Sequence, residues 1–290
     1  MCLLPTCVLN GWCIMANLRI VYDNAANRAA TLIASTTAGT LAASNMLTDI
    51  KSEVWRSTST SATITLTWNT AEVVSAVALP FCSLTSTATI RVRCYTGTAD
   101  VTPVTDSGTI LAAPSSLGSS TWGTMPLGVN AYSYGGSAYA DVWLTPAAVK
   151  KVVIDLVDSA NALGYVEAAK IVVGQYWSPS VNTGYGAKVG VDETTKHERS
   201  DAGDLRTDRG ASYKTLTFDL GLMPTTDRNQ MWNIIRGNGM YKPVFVSLCP
   251  ESSDTMEEQI FQLYGKMTRA SGLQYQFMNQ FATSLQIEEI

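Results

Sequence analysis

Four aromatic side chains in one polar segment are the residues best suited to contact a ligand. Flat rings beside hydroxyl and amide groups suit the apolar face and the hydroxyl edge of a sugar. The alternative, which the sequence favours, is that these rings cover the end of a β-sandwich or contact another subunit. The four are found in residues 96–140, a segment rich in Gly, Ser and Pro: Trp122, Tyr132, Tyr134 and Tyr139.

Residues able to do acid–base, nucleophilic or metal chemistry are sparse. His197 is the only histidine and has no cysteine near it in the sequence, which supports neither a zinc site nor a histidine-activated nucleophile. Asp155 and Asp158 could be ligands of a calcium site, but their presence is better explained by an exposed strand position and a turn cap. Adjacent carboxylates on a strand point to opposite faces, so they form no ready acid and base pair. Such pairs are Asp192 with Glu193, Glu257 with Glu258, and Glu288 with Glu289. We therefore expect no enzyme activity, catalytic residue, metal or cofactor.

The stretch "SEVWRSTS", residues 52–59, places a tryptophan beside an arginine. The pair could clamp a sugar or an anion if both side chains faced one site. Neighbouring residues of a strand project to opposite faces, so a clamp would need a bulge. We therefore predict that Trp55 fills the interior of a sandwich and that Arg56 lies at an edge or interface.

Composition excludes several classes of partner. The 290 residues are 46% hydrophobic and 15% charged, which indicates a globular chain with a surface rich in uncharged polar residues. The net charge is −4 and the basic residues are scattered. A surface of that kind predicts neither nucleic-acid binding nor attraction to an anionic membrane, and no segment predicts membrane insertion.

Cysteine positions indicate a reducing compartment. Three of the six cysteines lie within the first thirteen residues, which leaves too few thiols in the body for a disulfide framework. Cys82 and Cys94 lie in apolar strand patterns and are predicted to be buried thiols. Residues 1–14 resemble neither a signal peptide nor a membrane span, and we interpret them as an upstream extension or disordered start, with Met15 as the working start.

Strand periodicity dominates residues 15–177. In "ATITLTW", residues 62–68, apolar residues alternate strictly with threonines, and "TATIRVRCY", residues 87–95, repeats the alternation. "SAVALPF", residues 75–81, is continuously apolar and is predicted to be buried on both faces. Short strands separated by turns predict a mostly β chain that begins with an antiparallel sandwich.

A Pro, Gly and Ser-rich segment, residues 178–186, predicts a linker to a second β domain at 187–290. There "YKTLTFDLG" alternates again, with Leu216, Phe218 and Leu220 inside. Pro224 to Asp227 form a helix start, and Gly237 is placed as its stop, which predicts one helix near residues 225–236. We expect Arg228, Met231, Trp232 and Ile235 to form its inward stripe, and "EQIFQLYGKM", residues 258–267, to be a strand.

Several short motifs in residues 45–177 resemble the discoidin-like, or galactose-binding-like, jelly rolls of bacteriophage tail proteins. They are "NML" at 45–47, "WRS" at 55–57, "ATIRV" at 88–92 and "GYVE" at 164–167. Residues 209–252 and the closing "LQIEEI" resemble, less specifically, the small β domains with which virion proteins assemble. The resemblance implies a jelly-roll fold, and the family includes both sugar binders and purely structural modules.

The resemblance implies a non-enzymatic structural component of a phage tail or baseplate. On that hypothesis the second domain would assemble with other tail proteins and with copies of itself, as a homo-oligomer of three or six in the virion. The alternative is a host-surface glycan-binding module, in which the four aromatic residues of the loop would contact the sugar. A cell-wall glycan hydrolase is the least favoured hypothesis.

Overall fold

The computed structural model describes residues 16–113, 138–208, 210–252, 254–269 and 271–290. Antiparallel strands form most of its regular structure. The strands before residue 180 are β1 Arg19–Val21, β2 Thr31–Ala34, β3 Trp55–Arg56, β4 Ser61–Cys82, β5 Thr89–Tyr95, β6 Thr105–Asp106, β7 Ile110–Leu111, β8 Ala138–Val157, β9 Glu167–Ala168, β10 Val172–Gly174 and β11 Tyr176–Trp177. The later elements are β12 Lys188–Glu193, β13 Lys196–Arg199, β14 Leu205–Asp208, β15 Ser212–Met223, α1 Thr225–Asn238, β16 Val244–Ser247, α2 Thr255–Ile260, β17 Gln262–Met267, β18 Gln274–Phe277 and β19 Gln280–Glu289.

The long strands β4 and β8 form the spine of the first sheet. Its order is β3-β9-β4-β8-β5-β6, and β2 and β10 also pair with β4 while β7 pairs with β5. The predicted alternation is confirmed: Ala62, Ile64, Leu66 and Trp68 are buried, and the threonines between them are half-buried. The alternation in β5 is confirmed in the same way. Apolar and polar residues that alternate with a period of two give a strand one buried face and one solvent-exposed face.

The second half of β4 is buried on both faces, as its apolar run predicts. Val77 and Leu79 face the core of the first sheet. Ala76, Ala78 and Phe81 face the opposite way and pack in a separate cluster with Tyr264 and other residues of the second sheet. The second sheet is therefore what covers the other face of this strand.

Trp55 lies in the interior, as predicted. Its side chain is 0% exposed within the core of the first sheet, and its indole Nε1 donates a hydrogen bond to the carbonyl oxygen of Thr36 at 3.1 Å. Because β3 pairs with β9, Trp55 stands opposite Ala168 while Arg56 stands opposite Glu167. The pairing puts the indole inside and the guanidinium on the outer face.

The second sheet has the order β11-β1-β16-β17-β19-β15-β12, with β18 pairing to β19. β1, which the sequence pattern groups with residues 15–177, pairs here with β16 and β11. β11 and β12 are the two end strands in this order, so residues 178–187 connect one edge of the second sheet to the other. The Pro, Gly and Ser composition of 178–186 correctly indicates coil, and that coil is tied to the second sheet, where Asn182 Oδ1 accepts from the amide of Leu18 at 3.0 Å.

The helix near residues 225–236 is confirmed as α1, with three differences from the prediction. It continues past Gly237 and is capped by Gly239, whose φ of +54° is the left-handed conformation that glycine tolerates. Trp232 is 50% exposed, and Ile234 is buried instead. A second helix, α2, replaces the first part of the strand predicted at 258–267, because Asp254 caps it by accepting from the amides of Met256 and Glu257.

The two sheets share an apolar boundary. Its aromatic members include Phe81 and Tyr139 from the first sheet and Phe245 from the second, and the Tyr139 and Phe245 rings stack with centroids 6.2 Å apart. The described part of the chain is therefore mostly β, and α1 packs against β15 and β19 of the second sheet. Within the residues that the structure describes, neither helix has the length and apolarity needed to cross a bilayer.

Candidate functional site

The sugar-binding residues predicted from the sequence fall into two groups. Trp122, Tyr132 and Tyr134 lie outside the described residues. Tyr139 is described and is 1% exposed, at the boundary between the sheets. A surface ligand cannot contact a side chain that both sheets cover, so the prediction for Tyr139 is wrong. Its alternative, an aromatic residue covering the end of the sandwich, is nearer to what the structure shows.

Tyr139 is the centre of a buried hydrogen-bond network. Its hydroxyl donates to Glu289 Oε1 at 2.8 Å, and Gln259 bonds both the amide and the carbonyl of its backbone. Lys214 Nζ lies 5.0 Å from the centre of the ring and donates to the carbonyl oxygens of Gln259 and Gln262, each at 3.1 Å. Burial lowers the pKa of Lys214 to about 8. These contacts connect β8, β15, α2 and β19, and they lock the sheets together.

Two carboxylates at the same boundary are held in an unfavourable environment. Burial raises the pKa of Glu258, and the nearby charge of Asp141 raises it further. Burial likewise raises the pKa of Asp141, although a hydrogen bond from Gln262 Nε2 at 2.9 Å opposes that effect. Arg19, which forms an ion pair with Glu251 at 2.7 Å, also lowers the pKa of both groups. The folded chain therefore binds protons at these positions that the unfolded chain has released.

We predict that the protein loses stability as the pH rises from about 4 to 8, because the folded pKa values of both carboxylates are raised. A folded pKa above the unfolded value of about 4 gives stability that is complete below pH 4 and is lost as the pH rises. Since both carboxylates are only partly buried, the expected loss is about 1–2 kcal/mol. Lys214 titrates in the opposite sense, because its lowered pKa reduces stability as the pH falls from about 10.5 to 8. Urea unfolding at a series of pH values measures the slope.

Glu258→Gln is the variant that tests this pH dependence of the free energy of unfolding. It keeps an oxygen that can accept from the amide of Glu251, the 2.7 Å bond made by Glu258 Oε1, but it cannot ionise. The variant should unfold with a flatter pH dependence and be more stable than the unaltered protein at pH 8. An unchanged slope would contradict this account of the boundary.

A polar cleft lies on the second sheet. It has a volume of about 550 Å³, and β19 forms its floor. β15 pairs with one side of β19, while β17 and β18 pair with the other. Residues 219–221 therefore face Arg269 and residues 271–276 across the cleft. One extra residue in β15 between Leu220 and Met223 shifts the register there, and a bulge of this kind opens a sheet beside a site. The lining residues are Asp219, Leu220, Gly221, Arg269, Ser271, Gly272, Gln274, Gln276, Ala282, Thr283 and Ser284.

The cleft is chemically suited to a ligand rich in hydroxyl groups. Asp219 and Arg269 are exposed, and neither forms an ion pair with another residue that the structure describes. Gln274 and Gln276 of β18 both line the cleft, beside the register shift between Tyr275 and Phe277. Ser271 is 7% exposed, and its buried Oγ has no hydrogen-bond partner among the residues that the structure describes. A buried hydroxyl without a partner is costly, and a ligand that bonds it would remove that cost.

Sequence reasoning missed this cleft. The strand that carries its two glutamines is β18, Gln274–Phe277. Two glutamines in one short strand are a weak signal that a polar surface exists there. The cleft itself depends on the bulge in β15 and on the bond from Thr283 Oγ1 to the carbonyl oxygen of Gly272 at 3.0 Å, which no local pattern predicts.

The other candidate residues named in the sequence analysis make contacts that a structural role explains. His197 is exposed and bonds Thr207 Oγ1 through Nδ1 at 3.0 Å. Asp155 accepts from Thr63 and Arg93, and Asp158 accepts from Thr85 and Asn161, which agrees with the strand and turn interpretations. Cys82 and Cys94 are buried free thiols, as predicted, and burial raises the pKa of each to about 12. Nothing in these surroundings brings two of them into one site.

Arg56 is not available to an anionic ligand. Its guanidinium forms an ion pair with Glu167 at 2.6 Å and lies 4.3 Å from the centre of the Tyr165 ring. The hydrogen bond that Arg56 Nε donates to the Glu167 carboxylate raises the pKa of Arg56 above its ordinary value. The side chains of Trp55 and Arg56 therefore lie on opposite faces of the strand, and they cannot clamp one ligand between them.

Comparison with known proteins gave matches among solved structures only. No family model matches the chain, and no curated protein does. A chitosan-binding module of a chitosanase/glucanase from Paenibacillus sp. IK-5 is similar at 15% identity, covers 53% of this chain and 99% of its own, and has a TM-score of 0.35. The module CBM32-3 from a family 31 glycoside hydrolase of Clostridium perfringens has 10% identity, coverages of 51% and 90%, and a TM-score of 0.36.

A fucose-binding module from Streptococcus pneumoniae is similar at 12% identity, covers 53% of this chain and 99% of its own, and has a TM-score of 0.35. These structural neighbours are carbohydrate-binding modules, and none of the three is a phage protein. At such identities and TM-scores the similarity carries no argument about the ligand of this chain.

Proposed function

We propose that this chain is a non-catalytic carbohydrate-binding protein and that the cleft of the second sheet is its binding site. The observation that carries the proposal is the polar lining of the cleft, which includes the buried Ser271 hydroxyl, without a hydrogen-bond partner in the described part of the chain. Asp219 can accept hydrogen bonds from sugar hydroxyls, Arg269 can donate them, and the amides of Gln274 and Gln276 can do both. The volume of about 550 Å³ lies within the range of ligand pockets.

The same lining supports binding rather than hydrolysis. Glycoside hydrolysis uses two carboxyl groups about 5 to 9.5 Å apart. Asp219 is the single carboxylate among the residues that line the cleft. No aromatic ring belongs to the lining, so binding would depend on hydrogen bonds and would be weak, with a Kd on the order of 0.1 to 1 mM.

The test is glycan binding by the purified chain, first on an array and then by titration calorimetry with the sugars that bind. The double variant Gln274→Ala/Gln276→Ala should weaken binding at least about tenfold, because two amides that bond the sugar are lost. Gln286→Ala is the matched control, since Gln286 lies on β19 but outside the cleft, and it should bind as the unaltered chain does. Thermal unfolding of each variant shows whether its fold is intact.

Two results would contradict the proposal. One is the absence of binding to any glycan at millimolar concentration. The other is binding that survives the glutamine variants but is lost in Trp122→Ala and Tyr134→Ala, which would place the site in the aromatic loop predicted from the sequence.

A second candidate function is assembly within a particle, such as a phage tail or baseplate. The exposed hairpin of β13 and β14 favours it. Every residue of both strands is exposed, and the hairpin projects beyond β12 and β15 as their continuation. An isolated two-stranded hairpin is marginally stable in water, so contact with a partner would stabilise it. Electron microscopy of the purified protein tests this candidate: rings of three or six copies would support it, and dispersed monomers would contradict it.

A further inference from the structure

β12 is the end strand of the second sheet in the described part of the chain. It pairs with β15 in uninterrupted register, from Lys188 opposite Thr217 to Glu193 opposite Ser212. No proline or bulge protects its other side. Open edges of this kind accept another strand unless something covers them.

The hydrogen bonding of the hairpin shows which groups point outward. The amide of Thr194 donates to the carbonyl oxygen of Ala211 at 3.0 Å, in the same register as β12 and β15. Alternate residues of an antiparallel strand bond to the same neighbour. Lys188, Gly190 and Asp192 therefore bond to β15, while Val189 and Val191 direct their backbone N–H and C=O groups away from the sheet.

We propose that β12 pairs with β12 of a second copy of this chain, antiparallel and about a two-fold axis at Gly190. In that register Val189 of each copy lies opposite Val191 of the other, and their outward backbone groups bond to each other. Lys188 of each copy lies opposite Asp192 of the other, as a pair without backbone bonds, in which side chains approach closely. Every contact occurs twice, as a two-fold interface requires.

Side-chain chemistry selects this register over its neighbour. Moving the axis to Val191 also joins outward groups, but it sets Val189 against Glu193 and Lys188 against Thr194. The register centred on Gly190 instead sets Val189 against Val191, which is 67% exposed, and pairs opposite charges on the outer face. Gly190 has no side chain to obstruct the close approach of the two strands on the axis.

Pairing at this edge also provides a partner for the exposed hairpin. Continuing the register sets Thr195 of one copy opposite Tyr185 of the other, and β13 then runs beside residues 182–184. Tyr185 is fully exposed in the single chain. The proposal does not depend on glycan binding, because β12 contributes no residue to the cleft.

Charge exchange tests the register. Sedimentation velocity from about 5 to 200 µM should show a monomer–dimer equilibrium for the unaltered chain. Lys188→Asp and Asp192→Lys should each weaken dimerisation at least about tenfold, because each sets like charges together twice. The double variant Lys188→Asp/Asp192→Lys restores both pairs and should return the dimer Kd to within about threefold of its original value.

Two further variants separate edge pairing from general charge effects. Val191→Pro removes an outward amide without breaking the ladder to β15, so it should abolish the dimer while the monomer still unfolds cooperatively. Lys242→Asp, an exposed charge change outside β12, should leave dimerisation unaltered. A monomer at 200 µM, or a double variant that dimerises no better than the single variants, would overturn the proposal.

Discussion

Trp55→Ala lowers the free energy of unfolding by about 3–5 kcal/mol, the range for removing a large aromatic side chain from a core. Trp55 is 0% exposed and is the largest of the fully buried side chains. The variant leaves a cavity and also leaves the carbonyl oxygen of Thr36 without its indole donor. Urea unfolding followed by circular dichroism measures the loss.

Two neighbouring variants show the origin of the effect. Trp55→Phe keeps most of the apolar contact but not the hydrogen bond to Thr36, so it should cost less than Trp55→Ala. Arg56→Ala removes an exposed ion pair with Glu167 and should leave the unfolding midpoint close to that of the unaltered protein. If Trp55→Ala stayed fully stable and lost only ligand binding, the assignment of Trp55 to the core would be wrong.

Tyr139→Ala is the second large change, with an expected loss of about 3–5 kcal/mol. It removes a 1% exposed ring that contacts Phe81 of the same sheet and Phe245 across the boundary between the sheets. It also leaves Glu289, whose side chain is 1% exposed, without the hydroxyl donor that it has at 2.8 Å. Thermal and urea unfolding should show the loss in both sheets together, because the boundary belongs to both.

Tyr139→Phe isolates the hydrogen bond. It keeps the ring in place and removes only the hydroxyl, so the expected loss is about 1–3 kcal/mol, the cost of a buried polar group without its partner. Neither Tyr139 variant should alter glycan affinity in the fraction that remains folded. A Tyr139→Ala protein with unaltered stability and no glycan binding would restore Tyr139 as a ligand contact.

Local pattern predicted the strands and the main helix well, and the misses have identifiable causes. Alternation in β4 and β5 correctly placed Ile64 and Ile90 inside. The α1 stop was missed by two residues, since Gly237 fits inside the helix and Gly239 adopts the left-handed conformation. The last three residues of α2 fall in the strand predicted at 258–267, because the helix depends on the Asp254 cap, which accepts from the amides of Met256 and Glu257 and outweighs a short apolar run.

The sequence by itself determined which residues alternate in and out, that Trp55 is a core residue, and that residues 75–81 are buried on both faces. These are properties of hydrophobic periodicity, which a strand expresses wherever it lies. Tertiary structure alone decided what covers the second face of those residues, that β1 joins the second sheet, and that Tyr139 is interior. Each of these depends on contacts between segments more than 100 residues apart, such as Tyr139 with Glu289, for which a single sequence carries no local signal. The cleft is of the same kind, because it arises where β15, β18 and the residues that follow β17 meet around β19.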